Sequence, residues 1–254
     1  VNLSNVRILK DSFKSCSGLT KVNLPDSLLS IEGAFGGCTN LTTVTGGKNV
    51  RYVGDSSFAN CSKLKSFGSI GKNLSVLDHR AFTGTGWYNN QKDGVVYFQN
   101  FAYCYKGTMP KNTQLTFKEG TKAIVGGFIF GDLELTPREV ANFEPPVLTK
   151  VVIPKSCQYI GYYAFYGCDD LEGIFSANTD TITIQENALE ITDGSFPNLR
   201  YIALNAKNAN FENYYLPSTN QKMFVPYEGA EIVAIVKDGK LESLNSSLIV
   251  PFEG

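Results

Sequence analysis

Hydrophobic positions recur along this chain with a period near 23 residues. An aromatic residue or leucine, with a small or apolar residue before it and an aliphatic residue about five positions earlier, stands at Phe13, Phe35, Phe58, Phe82, Phe130, Phe165 and Leu189. The steps between these anchors are 22, 23, 24, 48, 35 and 24. The step of 48 spans two periods and hides one degenerate unit over 83–130. The step of 35 is one period carrying an 11-residue insertion. The aliphatic partners are read as Ile8, Ile31, Val53, Leu77, Val125, Ile160 and Ile184. After the anchors, Phe82 excepted, come a cysteine or small residue and then a leucine.

The segments opened by those leucines follow one pattern, L-x-x-V/I-x-L, in full or in its first half, at 19–24, 41–44, 64–67 (with Phe67 at the aliphatic place), 148–153, 171–174 and 199–204. Alternation at the last three positions predicts a strand with one buried face. Proline follows directly at Pro25 and Pro154, where it ends a strand because it cannot donate to the next ladder bond. A unit of this kind cannot bury its apolar face alone, so the units stack. The predicted fold is a right-handed leucine-rich-repeat solenoid or horseshoe, α/β by convention although mostly short parallel strands.

Two segments break the period. Residues 83–112 hold Trp87 and a Lys92-Asp93-Gly94 turn signal before Val95-Val96-Tyr97, which predicts a β-hairpin. Residues 133–146 carry a capping box from Thr136 to Glu139, with Pro137 at the first helical position and Pro145-Pro146 as a stop. A short helix is expected at about 137–143. The period is lost after 204. There Ile232–Val236, Asp238-Gly239 and Lys240–Leu244 predict a C-terminal hairpin cap over 205–254, in one structural domain with the solenoid of 1–204.

The pattern I-G-x-x-A-F-x-x-C-x-x-L-x-x-V-x-I-P-x-S resembles the BspA-type leucine-rich repeat. It is carried by Gly161, Ala164, Phe165, Cys168, Leu171 and Ile174, and by Leu148, Val151, Ile153, Pro154 and Ser156 in the preceding half. Gly86 to Tyr97, running on to Gly107, is similar to an insertion recurrent in these proteins, and Met223 to Pro226 to their terminal segment. The resemblance covers about residues 6–226. It implies an exported surface protein of host-associated bacteria or mucosal parasites, recognising host or matrix proteins or glycans. It supplies no catalytic residues.

Composition narrows this little. The net charge of the 254 residues is -1, so no broad pull on nucleic acid or an anionic membrane is implied. No run of about 18 apolar residues exists to span a bilayer. The chain starts inside a repeat, which favours a mature or trimmed form whose signal or lipoprotein segment has been removed, located outside the cell. Asn2, Asn40, Asn60, Asn73 and Asn245 begin N-x-S/T triplets; Asn40 and Asn60 are more simply explained as turn residues.

Cys16, Cys38, Cys61 and Cys168 hold one place in the repeat, about 22 residues apart where consecutive, which suits buried packing thiols and not a metal cluster. Cys157 falls where Leu28 falls and reads as core. Cys104 lies in the insertion and is the one candidate reactive thiol. His79, the sole histidine, reads as a surface or capping residue between Asp78 and Arg80. No G-x-S-x-G elbow or singled-out carboxylate pair supports catalysis. Neither an enzyme, a metal nor a cofactor is expected.

The remaining candidate is the strand surface. Residues flanking the inward valine should face outward on the concave side: Lys21, Asn23, Thr43, Thr45, Ser66, Lys150, Val152, Gly173, Phe175, Tyr201 and Ala203. Val152, Phe175 and Tyr201 would make an apolar binding spot, unless the cap or the helical insertion lies over them. Trp87, Tyr88, Tyr97, Phe101, Tyr103 and Tyr105 form a second candidate, an aromatic sugar platform, though packing of the insertion explains them more simply. The reading is a non-enzymatic surface recognition protein binding a host or matrix protein or a glycan, not nucleic acid. Its alternatives are a spacer module presenting a neighbouring domain, and a glycan-enzyme accessory domain.

Overall fold

The structure, a computed structural model, describes residues 3–131, 133, 143, 146–168 and 170–171, and from there on the backbone of six strands between 173 and 245. The expected helix at about 137–143 and most of the C-terminal cap lie outside the described residues. The chain divides into two compact units, Val1–Gln99 with Asp132–Thr136, and Asn100–Gly131 with Pro137–Gly254. The division falls inside the predicted insertion.

In the first unit the strands are β1 (Ile8–Lys10), β2 (Lys21–Leu24), β3 (Ser30–Glu32), β4 (Thr43–Gly46), β5 (Tyr52–Val53) and β6 (Val76–Leu77). They form two parallel ladders, β1-β3-β5-β6 and β2-β4. The first two coils each supply one strand to each ladder, the later ones a strand to the first ladder alone, and successive coils stack. The register aligns Leu9, Ile31, Val53 and Leu77 in one column, all buried. Ile8 pairs with Ser30 and points out, 61% exposed, so the aliphatic partner of Phe13 is Leu9 and not Ile8. Two adjacent aliphatics fit the pattern equally well, and strand alternation admits only one to the core.

The anchor phenylalanines form the expected ladder. Phe13 stacks on Phe35 with centroids 5.5 Å apart, Phe35 on Phe58 at 5.2 Å and Phe58 on Phe82 at 6.1 Å. Each anchor is bracketed by two left-handed residues: Asp11 and Ser15, Gly33 and Gly37, Ser56 and Asn60, Arg80 and Gly84. These turns aim the ring inward while the backbone bonds to the next coil, as in Phe35 N–H to Ser57 O at 2.9 Å.

The unit ends in a short helix α1 (Gly86–Asn89), capped by the Thr85 hydroxyl accepting from Tyr88 N–H, and a strand β7 (Gly94–Phe98). Asp93-Gly94 is therefore not a two-residue hairpin loop. It joins helix to strand, and the next turn comes after Phe98, at Gln99 with φ 55.

The second unit repeats the scheme with β8 (Phe101–Lys106), β9 (Thr113–Thr116), β10 (Ala123–Ile124), β11 (Leu148–Ile153), β12 (Tyr159–Ile160), β13 (Gly173–Ser176), β14 (Thr181–Ile184), β15 (Tyr201–Leu204) and β16 (Asn208–Phe211). One parallel ladder runs β8-β10-β12-β14-β16, the other β9-β11-β13-β15. The strand of the degenerate unit is β9. The register aligns Ala102, Ile124, Ile160 and Ile184, of which the first three are buried, so Ile124 and not Val125 holds the aliphatic slot. The anchor also moves. Gly127 and Gly131 bracket Ile129 as Tyr163 and Gly167 bracket Phe165, and Gly127 N–H bonds to Tyr162 O at 2.7 Å. Ile129 therefore occupies the position assigned to Phe130. Phe128 beside it packs against Phe117 and Phe165, and Phe130 against Phe143.

Both proline stops hold, since β2 ends at Leu24 and β11 at Ile153. The predicted terminal hairpin is present as antiparallel β17 (Val233–Lys237) and β18 (Lys240–Asn245). No helix among the described residues is long and apolar enough to cross a membrane.

Candidate functional site

Pairing of β2 with β4 brings the predicted outward positions of the first unit into rows. Lys21 stands beside Thr43 and Asn23 beside Thr45, while Val44 between them is buried. Alternation along each strand produces this, because successive side chains leave opposite faces. Lys21, Asn23 and Thr45 are exposed, and so are Lys65 and Ser66 on the following coil.

Bonds between coils hold the polar side chains of this face. The Thr45 hydroxyl donates to Asn23 Oδ1 at 2.9 Å and that of Thr42 to Thr20 O at 3.0 Å. Asn40 Nδ2 donates to Ser17 O at 2.9 Å, and Lys63 Nζ to Asn40 Oδ1 at 2.7 Å. Polar groups tied to their neighbours in this way lose little conformational entropy when a ligand meets them.

In the second unit the register sets Gln114, Lys150, Gly173 and Tyr201 in one row and Thr116, Val152, Phe175 and Ala203 in the next. Lys150 and Val152 are half-buried; the side chains of Phe175 and Tyr201 lie outside the described residues. Gln114 and Thr116, both exposed, belong to this face and were missed by the sequence reading. Alternation of Leu115 and Phe117 was the available signal, obscured because the degenerate unit lacks the opening leucine.

The aromatic candidates do not form an open platform. Tyr88 and Tyr103 are only 3% and 1% exposed, and Phe101 is buried with them. Trp87 is half-buried and meets Phe67, Phe82 and Phe98 edge-on, with centroids 5.8, 5.4 and 5.5 Å away. Tyr97 and Tyr105 are half-buried. The rings act as core, because a helix and strand this short have little else to fix them on the coils.

The thiols divide in a similar way. Cys38, Cys61, Cys157 and Cys168 are buried as expected. Their thiols extend the ladder: Cys38 donates to Phe13 O at 3.0 Å and Cys61 to Phe35 O at 3.1 Å. Burial pushes the Cys61 thiol up to about 12 and that of Cys157 up to about 11. Cys16, expected to be packed, is exposed, since no described coil lies beyond it. Cys104, the suspected reactive thiol, is buried inside β8. His79 is also buried and not a surface residue, because the turn at Asp78–Arg80 folds its middle residue inward.

A recess lies on the other ladder of the first unit. It is a groove of about 320 Å³ lined by Asp11, Lys14, Glu32, Tyr52, Asp55 and Asp78 over a floor that includes Gly33 and Gly54. The Tyr52 hydroxyl donates to Asp78 Oδ2 at 2.5 Å. Burial, with the hydrogen bond and charge of Asp78, pushes the Tyr52 phenol well up. Burial likewise raises the Asp78 carboxyl, against the opposing pull of the Tyr52 hydrogen bond. Among the described residues no group of three or more His, Cys, Asp or Glu could hold a metal ion.

The model of one protein family, the BspA type leucine-rich repeat region, matches in six copies over residues 3–108 and 141–229. No curated protein and no solved structure matches the chain.

Proposed function

The chain belongs to the BspA-type leucine-rich repeat family, and from that premise we propose that it is a non-enzymatic recognition protein acting at a cell surface. It binds a host or matrix protein or glycan along the outward rows of its β2-β4 ladder and of the ladder that contains β9 and β11. The observation that carries this reading is the paired register of Lys21 with Thr43 and Asn23 with Thr45. It holds polar side chains on one face, Thr45 bonded to Asn23, at the roughly 4.8 Å spacing of neighbouring strands. An array of that form contacts an extended ligand without a pocket, the usual mode of solenoid surfaces.

The test is binding of the whole chain to a panel of matrix proteins and glycans, repeated with Asn23→Arg and Thr45→Arg. These fill the outward rows without touching the buried column. Ligand capture should fall for both and persist for Ser12→Arg, an exposed turn residue elsewhere on the coil. Capture that survives both row variants but is lost with Ser12→Arg would overturn the assignment of the face.

A further inference from the structure

The charges of the first unit are sorted by face. Its acids between residues 3 and 92 are Asp11, Asp26, Glu32, Asp55 and Asp78, and none lies in 12–25, 33–54 or 56–77. Three ion pairs use three of these acids where they sit. Lys10 meets Glu32 at 3.2 Å, Lys14 meets Asp11 at 4.0 Å and Lys48 meets Asp26 at 2.5 Å. Four of the five acids line the groove beside the β1-β3-β5-β6 ladder.

The β2-β4 face is the reverse. Lys21, Lys63 and Lys65 are exposed there, and none of them has an ion pair among the described residues. Lys63 and Lys65 flank the buried Leu64, which turns both toward solvent, and Lys21 stands two coils away, roughly 10 Å along the stack. Lys63 is fixed by its bond to Asn40. The same three coils expose Thr20, Thr42, Thr45, Ser62 and Ser66 next to or between the lysines in sequence.

We infer that this face of the first unit docks an anionic glycan, a linear polysaccharide bearing sulfate groups. The inference deepens the recognition function proposed above and rests on it. Charge complementarity selects an anion: three lysines without an ion pair among the described residues attract a polyanion, and Asp26, the carboxylate just past the end of β2, is already paired with Lys48. The rest of the face decides between a glycan and an acidic protein. Protein interfaces are anchored by aromatic and other large side chains that bury in the partner. Of the exposed large hydrophobic residues among those described, Ile8 and Val76 belong to strands of the other ladder, and none belongs to β2 or β4. Short hydroxyls and amides meet the hydroxyl groups of a sugar chain instead, while the lysines take its anionic groups.

Heparin serves as the sulfated probe for the full chain, measured beside desulfated heparin, a DNA duplex and a polyglutamate peptide. The protein should be retained on heparin at about 150 mM salt and released as salt rises. Combined Lys21→Gln, Lys63→Gln and Lys65→Gln should weaken heparin binding roughly tenfold, as expected for three exposed charge contacts. Lys21→Gln with Lys65→Gln leaves the Lys63–Asn40 bond intact and should lose a smaller share with an unchanged melting curve. Lys10→Gln with Lys14→Gln, on the other ladder, should bind as the parent does. The inference is overturned by no retention at about 150 mM salt, by equal retention on desulfated heparin, or by an equal loss in the Lys10 and Lys14 variant. Tighter binding of polyglutamate or DNA through the same lysines also overturns it, in favour of an acidic protein or a nucleic acid. Failure on heparin leaves the recognition face standing if another ligand is still lost with Asn23→Arg and Thr45→Arg.

Discussion

The Tyr52 hydroxyl donates a 2.5 Å hydrogen bond to Oδ2 of Asp78, one coil further along the stack. Burial raises the Asp78 carboxyl above its ordinary range. A carboxyl raised on folding favours the folded state while protonated, so its contribution is full below about pH 4 and is lost as pH rises through the folded value. Asp78→Asn keeps an acceptor for Tyr52 and removes the charge. It should therefore raise the melting temperature at pH 7 and match the parent near pH 4. Tyr52→Phe removes the donor that steadies the carboxylate, and should cost roughly 1.5–3 kcal/mol at pH 7 and less near pH 4. Thermal melts across that range check both; a stabilisation by Asp78→Asn that is larger at pH 4 than at pH 7 would contradict the account.

The phenylalanine ladder is not uniform in energy. Phe58 is fully buried and packs against Phe35, Phe67 and Phe82, with centroids 5.2, 5.3 and 6.1 Å away. Phe13 is half-buried and stacks only on Phe35 among the described rings. Phe58→Ala should cost about 3–5 kcal/mol through lost transfer energy and an unfilled cavity. Phe13→Ala should cost less than half of that, because solvent already reaches the ring. Urea unfolding of the two variants gives the difference directly.

The repeat was legible in the sequence because its signal is redundant: rings, leucines, cysteines and proline stops all carry one period. What failed was local choice among neighbours. Ile8 and Leu9 are adjacent aliphatics, and the four-residue spacing already present between Ile31 and Phe35 was the clue to Leu9. Phe128 and Phe130 outweighed Ile129 as candidate anchors, although the flanking Gly127 and Gly131 marked the bracketed position. The outward rows could be read wherever a buried valine set the alternation, and were lost at Gln114 and Thr116, where the unit is irregular. Burial of Tyr88 and Tyr103 depends on packing between segments distant in sequence. No local pattern separates such rings from an exposed platform.

Gly46 closes β4 with φ 73, and a Cβ there would run into the carbonyl oxygen of Leu24 on the preceding coil. Gly46→Ala combines left-handed strain with a backbone collision, and should destabilise by more than about 2 kcal/mol. Gly18 meets nothing within 4 Å and has no left-handed φ. Gly18→Ala should be neutral or stabilising by about 0.4–1 kcal/mol, through the unfolded chain. Equal effects of the two substitutions would show that coil spacing is softer than the β2-β4 register requires.

Thiol reactivity separates the cysteine column from its exposed end. Cys16 is exposed, while Cys38, Cys61, Cys104, Cys157 and Cys168 are buried. The thiolate is the reactive form, and burial holds Cys61 up to about 12 and Cys157 up to about 11. Near pH 8 an aromatic disulfide reagent should therefore titrate Cys16 rapidly in the native protein and the other five only on unfolding. Cys16→Ser should abolish the fast phase without changing the melting temperature, since the side chain packs against little. Cys61→Ser keeps a donor for Phe35 O in a smaller, more polar group, and should lower the melting temperature. The raised thiols also set an alkaline limit. Because their folded values exceed the unfolded value of about 8.5, their contribution is intact below that pH and is lost as pH climbs through the folded values. Stability should decline from about pH 9 upward, with the slow thiols becoming reactive over the same interval. Fast reaction of more than one thiol at pH 8 would mean that the column opens in the native state.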